Sequence, residues 1–296
     1  MNDARGPRLL HGTVCVPSLD AALVLYVDLL EQNIVERGVV SGHEANAWQA
    51  PKSAGARSAV LQPPSGVPVY LRLIESRQPP GYQPGTHYGW AALELTVASA
   101  DKAHERLVKA GTPIIAPPKE LSFTDKLYPM QARGPGGEAI YLNEVRGNLP
   151  SGDLPMARCW VDQLFIAVMG CRDREGTVAF YNSLLGTTNS GTWDLEYTVL
   201  NHAFGLPANT KHMFSTVADE RTALFELDQY PKAASARPQN QGALAPGICS
   251  IGVRTAAPPA GANWLIEPAA RVGAPYFGAT VGVVRGPDGE LTELIW

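Results

Sequence analysis

The sequence predicts an α+β fold built from four copies of one module, a strand and a helix followed by three strands, and three observations support this reading. The hexapeptide RGPGGE at 133–138 returns as RGPDGE at 285–290 with one position changed. LYVDLL (25–30) and FYNSLL (180–185) fall at the same point of two strand-then-helix units. At the midpoint, VRGNLPSGDLPMARC has Gly, Pro and no apolar periodicity, as a linker between two halves would.

In the first module, LLHGTVCV alternates as a strand, Ser18 serves as an N-cap, and Ala21, Val24, Leu25, Leu29 and Leu30 follow at helical spacing. The second module opens with WAALELTV and continues into the helix DKAHERLVKAG. The third has a strand over Leu164–Met169, then a helix carrying Val178, Tyr181, Leu184 and Leu185. The fourth opens with GICSIGVRT, but Pro258, Pro259 and Gly261 forbid the helix that should come next. Each module has room for three more strands, and in the second and fourth the last strand follows the repeated GPGG or GPDG turn.

The 296 residues suffice for two domains with their own cores, and 45% hydrophobic with 18% charged residues describes a soluble globular chain. A net charge of −4 without a Lys/Arg cluster argues against a nucleic-acid partner. With no apolar run of membrane-spanning length and no leader-like N-terminus, a cytoplasmic protein without a membrane partner is expected. Cys15, Cys159, Cys171 and Cys249 form no CxxC pair, so reduced, mostly buried thiols are expected rather than a zinc knuckle or redox dithiol.

Four such modules, closed by RGPDGELTEL, resemble the vicinal oxygen chelate superfamily of glyoxalase I, bleomycin resistance proteins and extradiol dioxygenases. The resemblance implies four βαβββ modules paired into two cup-shaped domains. Consecutive pairing places modules 1 and 2 in an N-terminal domain (8–146), a linker at 147–156, and modules 3 and 4 in a C-terminal domain (157–296) that holds the active site. Strand parity turns His11, Thr13 and Cys15 into the first cup, with Ala92, Glu94 and Thr96 from the second module. Gln163, Phe165 and Ala167 then face the other cup, with Ile248, Ser250 and Gly252.

Carried onto the family's metal positions, the N-terminal cup offers His11, Arg72, Ala92 and Tyr141, a set with one ordinary ligand, and reads as metal-free. The C-terminal cup offers Gln163, Glu226, Ile248 and Glu293, so Gln163, Glu226 and Glu293 are the candidate ligands for a divalent metal (Fe, Mn, Ni or Zn). No nucleotide cofactor is expected. Glu293 and Glu226 are the candidate catalytic residues, and His11, Tyr141, Phe165 and Ser250 the candidate substrate contacts. His43, His87, His104, His202 and His212 show no HxxxH spacing and read as surface or loop residues.

The expected activity is that of a lyase or isomerase moving a proton on a small oxygenated aromatic or keto substrate, metal-assisted or not. The alternatives are an extradiol ring-cleaving dioxygenase, which needs two histidines and a carboxylate, and a non-catalytic binder using aromatic walls. A monomer or homodimer is expected.

Overall fold

The computed structural model describes residues 6–188 and 191–296. Module 1 comprises β1 (Arg8–Val16), α1 (Leu19–Leu23), β2 (Asn33–Val39), α2 (Gly42–Ala47), β3 (Arg57–Gln62) and β4 (Tyr70–Glu75). Module 2 comprises β5 (Gly89–Val97), α3 (Ala100–Lys109), β6 (Ile114–Ala116), β7 (Leu127–Arg133) and β8 (Ala139–Val145). Module 3 comprises β9 (Val161–Cys171), α4 (Arg174–Leu185), β10 (Thr192–Glu196), α5 (Thr198–Phe204), β11 (Lys211–Asp219) and β12 (Thr222–Gln229). Module 4 comprises β13 (Gly247–Arg254), β14 (Ala269–Ala270), β15 (Thr280–Arg285) and β16 (Leu291–Ile295).

The α+β class and the four modules stand, but the modules pair differently from the expectation. One eight-stranded sheet runs β14-β15-β16-β13-β1-β4-β3-β2 and the other β10-β11-β12-β9-β5-β8-β7-β6. Module 1 therefore shares a cup with module 4 through antiparallel β1 and β13, and module 2 with module 3 through β5 and β9. Domains drawn at 8–146 and 157–296 cut across both sheets. The physical reason is that each opening strand pairs in parallel with its own module's closing strand and leaves one edge to be covered. Any other opening strand with the same alternation satisfies that edge, so the apolar pattern does not select the partner.

Consecutive modules are joined instead by the repeated motifs. Tyr26 of LYVDLL donates to Glu138 Oε1 of the first hairpin at 2.6 Å, and Tyr181 of FYNSLL donates to Glu290 Oε1 of the second at 2.8 Å. The two sheets also touch directly, since a Cβ added at Gly12 would lie 2.9 Å from Leu93 Cδ2.

On β1, Val14 and Val16 enter the main core with the helices, as alternation predicts. Ser18 caps α1 by accepting the Ala21 N–H. The helix continues as a π-helical stretch over Val24–Leu29, which rotates the face: Ala22, Leu23, Leu25, Tyr26 and Leu30 are buried while Ala21 and Val24 are exposed. In module 4 no helix forms between β13 and β14 among the described residues, in line with its prolines. Trp264 and Trp296, 5.6 Å apart, pack against the core there, and a Cβ at Gly282 would lie 2.4 Å from the Trp264 ring.

Candidate functional site

In the cup of modules 1 and 4, β16 places Glu293 beside β13 and opposite β15, and its carboxylate is wholly enclosed. Oε1 accepts from the Trp48 indole and from Arg271 Nη1 at 3.0 Å. Oε2 accepts from Tyr276 Oη at 2.6 Å and His11 Nε2 at 3.1 Å. Thr13 Oγ1 lies 3.2 Å from His11 Nδ1, and Nε2, facing a carboxylate oxygen that can only accept, carries a proton. The Arg72 and Arg271 guanidinium groups lie over the Trp48 ring at 5.3 and 5.6 Å.

Arg72 in turn reaches Glu44 at 2.8 Å. Glu44 is the third helical residue after Ser41 in the capping box of α2, with one oxygen on Ser41 N–H and the other on Arg72. Burial would raise the Glu293 pKa, but Arg271, His11 and Tyr276 outweigh it and hold the carboxyl well below the usual range. A carboxylate this well satisfied is a poor proton acceptor and serves as a structural anion.

Gly252 is required beside it. A Cβ there would lie 2.2 Å from His11 Nε2. Gly252→Ala is therefore expected to cost about 1–3 kcal/mol by overpacking, measured by urea unfolding, and a loss below about 0.5 kcal/mol would show that the imidazole can move aside.

The cup of modules 2 and 3 has the opposite electrostatics. Glu226 and Asp228 lie two residues apart on β12 and share a face, beside a β9–β5–β8 floor that supplies Val168, Ala92, Glu94 and Tyr141. Tyr197, the N-cap residue of α5, donates to Glu226 Oε1 at 2.8 Å, and its hydroxyl oxygen lies 2.8 Å from Tyr141 Oη. Asn143 Nδ2 donates to Glu94 Oε2 at 2.9 Å.

No ion pair to any of these three acids occurs among the described residues, and all three hold protons more tightly than ordinary carboxyls. Burial and the charge of Glu226 raise Glu94 and Asp228 well above the normal range. Burial also raises Glu226, against donation from Tyr197 and Asp228. Asp228 is thus the proton holder of the pair and Glu226 the acceptor. A cavity of about 10 Å³, lined by Tyr141, Tyr197, Asp228, Val199 and Leu200 among others, adjoins them, no more than one water's worth of room.

The candidate residues are divided between the cups. His11, Ser250 and Glu293 belong to the cup of modules 1 and 4, and Tyr141, Phe165 and Glu226 to the other. Ser250 Oγ is buried without a hydrogen-bond partner. Ile248 and Ala167 turn into the main core, because register shifts interrupt β1 against β13 and β5 against β9 and break the simple parity.

The metal set Gln163, Glu226 and Glu293 does not assemble. Glu293 is on the other sheet, and Glu226 pairs with Val168, five residues beyond Gln163. At ~3.3 Å per residue that offset is about 16 Å. Around Glu293 a guanidinium already supplies the positive charge, with Arg72 at the equivalent position of β4. No three His, Cys, Asp or Glu side chains among the described residues converge as a metal would require. The residues do not fit the metal centre that the resemblance implied.

Two of the histidines read as surface or loop residues are buried. His87 Nε2 accepts from Gln83 N–H, and His212, on β11, lies 2.7 Å from Asn201 Oδ1; burial lowers both pKa values. Asp228 was recoverable from sequence as the residue two beyond Glu226. Arg271 and Tyr197 were not, since Arg271 lies just beyond a two-residue strand and Tyr197 is a cap without periodic pattern.

Comparison with known proteins agrees with this fold. Residues 8–141 match the model of the Glyoxalase/Bleomycin resistance protein/Dioxygenase superfamily. Glyoxalase I from Zea mays is similar over 98% of this chain and 92% of its own, with 15% identity and a TM-score of 0.63. A Bacillus subtilis protein provisionally classed as a dioxygenase is similar over 98% and 85%, with 12% identity and a TM-score of 0.60. No curated protein matches in sequence. Among the described residues no helix is long and apolar enough to cross a membrane.

Proposed function

We propose that the chain is a lyase or isomerase that moves a proton on a small oxygenated aromatic or keto substrate, and that the cup of modules 2 and 3 is its active site, its side chains parting to enlarge the one-water cavity when substrate enters. The observation that carries this reading is the Glu226–Asp228 pair, two acids sharing one low-dielectric face with no cation paired to them among the described residues. Such a pair keeps one carboxyl protonated and one free, as proton abstraction and return require. Glu226 accepts the proton from the carbon next to the carbonyl. As Glu226 takes up the proton, Tyr197 turns its one hydroxyl hydrogen from Glu226 to the enolate oxygen that forms, and Asp228 supplies the proton that completes the transfer. Burial and the charge of Glu226 keep Glu94 protonated against the pull of the Asn143 hydrogen bond, so Glu226 has no second ionised neighbour on this face. Glu293, named with Glu226 from sequence, acts in this reading as a structural anion in the other cup.

The test is hydrogen–deuterium exchange by NMR on a panel of aryl ketones and α-keto acids in D2O. Wild type should exchange the proton next to the carbonyl, and Glu226→Gln should lower the rate at least about a hundredfold while binding is retained. Binding by wild type without exchange of any bound compound would favour a sequestering protein instead.

A further inference from the structure

A cavity of about 210 Å³ opens outside the acid pair, where the two sheets meet, between Trp48, Tyr88, Trp90, Arg237 and the 285–290 hairpin. The internal repeat shows what is unusual about it. Gly89 opens β5 and Gly247 opens β13, and in the first copy Tyr82 fills the corresponding space. A Cβ at Gly247 would lie 2.5 Å from Tyr82 Oη, and one at Gly137 of the first hairpin 2.9 Å from the Tyr82 ring. In the second copy Arg237 takes the place of Tyr82, 3.4 Å from a Cβ at Gly89, and nothing lies within 4 Å of a Cβ added at Gly289 in the second hairpin. A phenol plug has been exchanged for a guanidinium beside a void.

Both cations of this cavity lack an acid. Arg237 Nη1 donates to the carbonyls of Ile248 at 2.7 Å and Pro246 at 3.2 Å, Nη2 donates to the carbonyl of Trp90, and the buried Nε has no partner. Arg285 donates to the Gly289 carbonyl at 3.0 Å and to Gln49 Oε1 at 3.1 Å. Neither guanidinium meets a carboxylate among the described residues. The two acids of the wall are engaged elsewhere, Asp288 with Arg172 and Glu290 with Tyr181. Two guanidinium groups without counter-charge among the described residues line a space walled by Trp48 and Tyr88.

We propose that this cavity binds a small organic carboxylate with a flat apolar body, its carboxylate on Arg285 and within the field of the Arg237 guanidinium, and its ring against Trp48 and Tyr88. Guanidinium–carboxylate bonds are charge-assisted and directional, and aromatic walls suit a planar ring. The Trp48 indole that bounds this cavity also donates to Glu293, so the site abuts the buried ion network without entering it.

Calorimetric titration with benzoate and with its neutral counterpart benzamide tests this. Benzoate should bind at least about tenfold more tightly, a difference of about 1.4 kcal/mol. Arg285→Gln, an exposed change, should weaken benzoate about tenfold, and so should Arg237→Gln, with a thermal melt reporting whether its lost carbonyl bonds disturb folding. Exposed Arg254→Gln should leave affinity unchanged. The proposal is overturned if benzoate does not bind, if benzamide binds equally well, or if benzoate binding survives Arg285→Gln and disappears in Glu226→Gln, which would put the ligand in the cup.

Discussion

Glu293→Gln is expected to cost about 3–5 kcal/mol of stability, a large share of what a domain of this size possesses. The side chain is fully enclosed, and four donors converge on it: Trp48, Arg271, Tyr276 and His11. An amide keeps one accepting oxygen but turns an NH2 toward two of these donors, and of the four only Arg271 Nη1 has another acceptor among the described residues, Tyr276 Oη at 3.1 Å. The larger loss is electrostatic, because the Arg271 guanidinium is almost completely buried and Glu293 is its ion-pair partner. Breaking a buried pair from one side strands a charge, whereas replacing both partners with apolar groups is often close to neutral. The paired change Glu293→Met with Arg271→Met should therefore cost less than Glu293→Gln alone. Urea unfolding at pH 7 decides it, and a loss below about 1 kcal/mol in Glu293→Gln would mean that water or rearrangement compensates Arg271.

The same contact fixes an acid limit. A carboxyl whose folded pKa lies below its unfolded value of ~4.3 adds stability above that value, and the contribution is lost as pH falls through the folded pKa. Glu293 is such a group, so its stabilisation is complete at neutral pH and fails only in strong acid.

How far the sequence revealed this arrangement can be judged strand by strand. On β1, alternation placed His11, Thr13 and Val14 on their proper faces, because a strand with one face in the core has a strongly specified register. Near the bulges of β9 and β13 the same rule misplaced Ala167 and Ile248, since an inserted residue reverses parity locally. Module count and turn chemistry were legible because they are local. Module pairing was not, because β1 could equally cover the edge of β5 or β13 by pattern alone. That one ambiguity put Glu226 and Glu293 in a single site. The structure separates them into a carboxylate satisfied by cations and another surrounded by acids.

The second large effect concerns the acids of the repeated hairpin and the direction in which pH acts on the whole fold. Burial raises both Glu138 and Glu290 to about 7, with hydrogen bonds from Tyr26 and Tyr181 drawing them partly back. For a carboxyl raised above ~4.3, the folded state binds the proton more tightly, so its contribution is complete below that value and is lost as pH rises through about 7. Raising the pH from 5 to 8 is expected to cost about 2–3 kcal/mol at each site, on the order of 5 kcal/mol together. Glu138 Oε2 has no partner in its buried place, as suits a protonated oxygen better than a charged one. The two sites tie module 1 to module 2 and module 3 to module 4, so ionisation would loosen the contacts that cross between sheets rather than either sheet alone. Glu138→Gln with Glu290→Gln should flatten the rise in unfolding susceptibility between pH 5 and 8, leaving a residual slope from Glu94, Asp228 and Glu226. Unfolding free energies across that range provide the measurement. If the double variant kept the wild-type slope, the Tyr–Glu pairs would have to be ionised already at pH 5, and the acids of the second cup would account for all of the pH dependence.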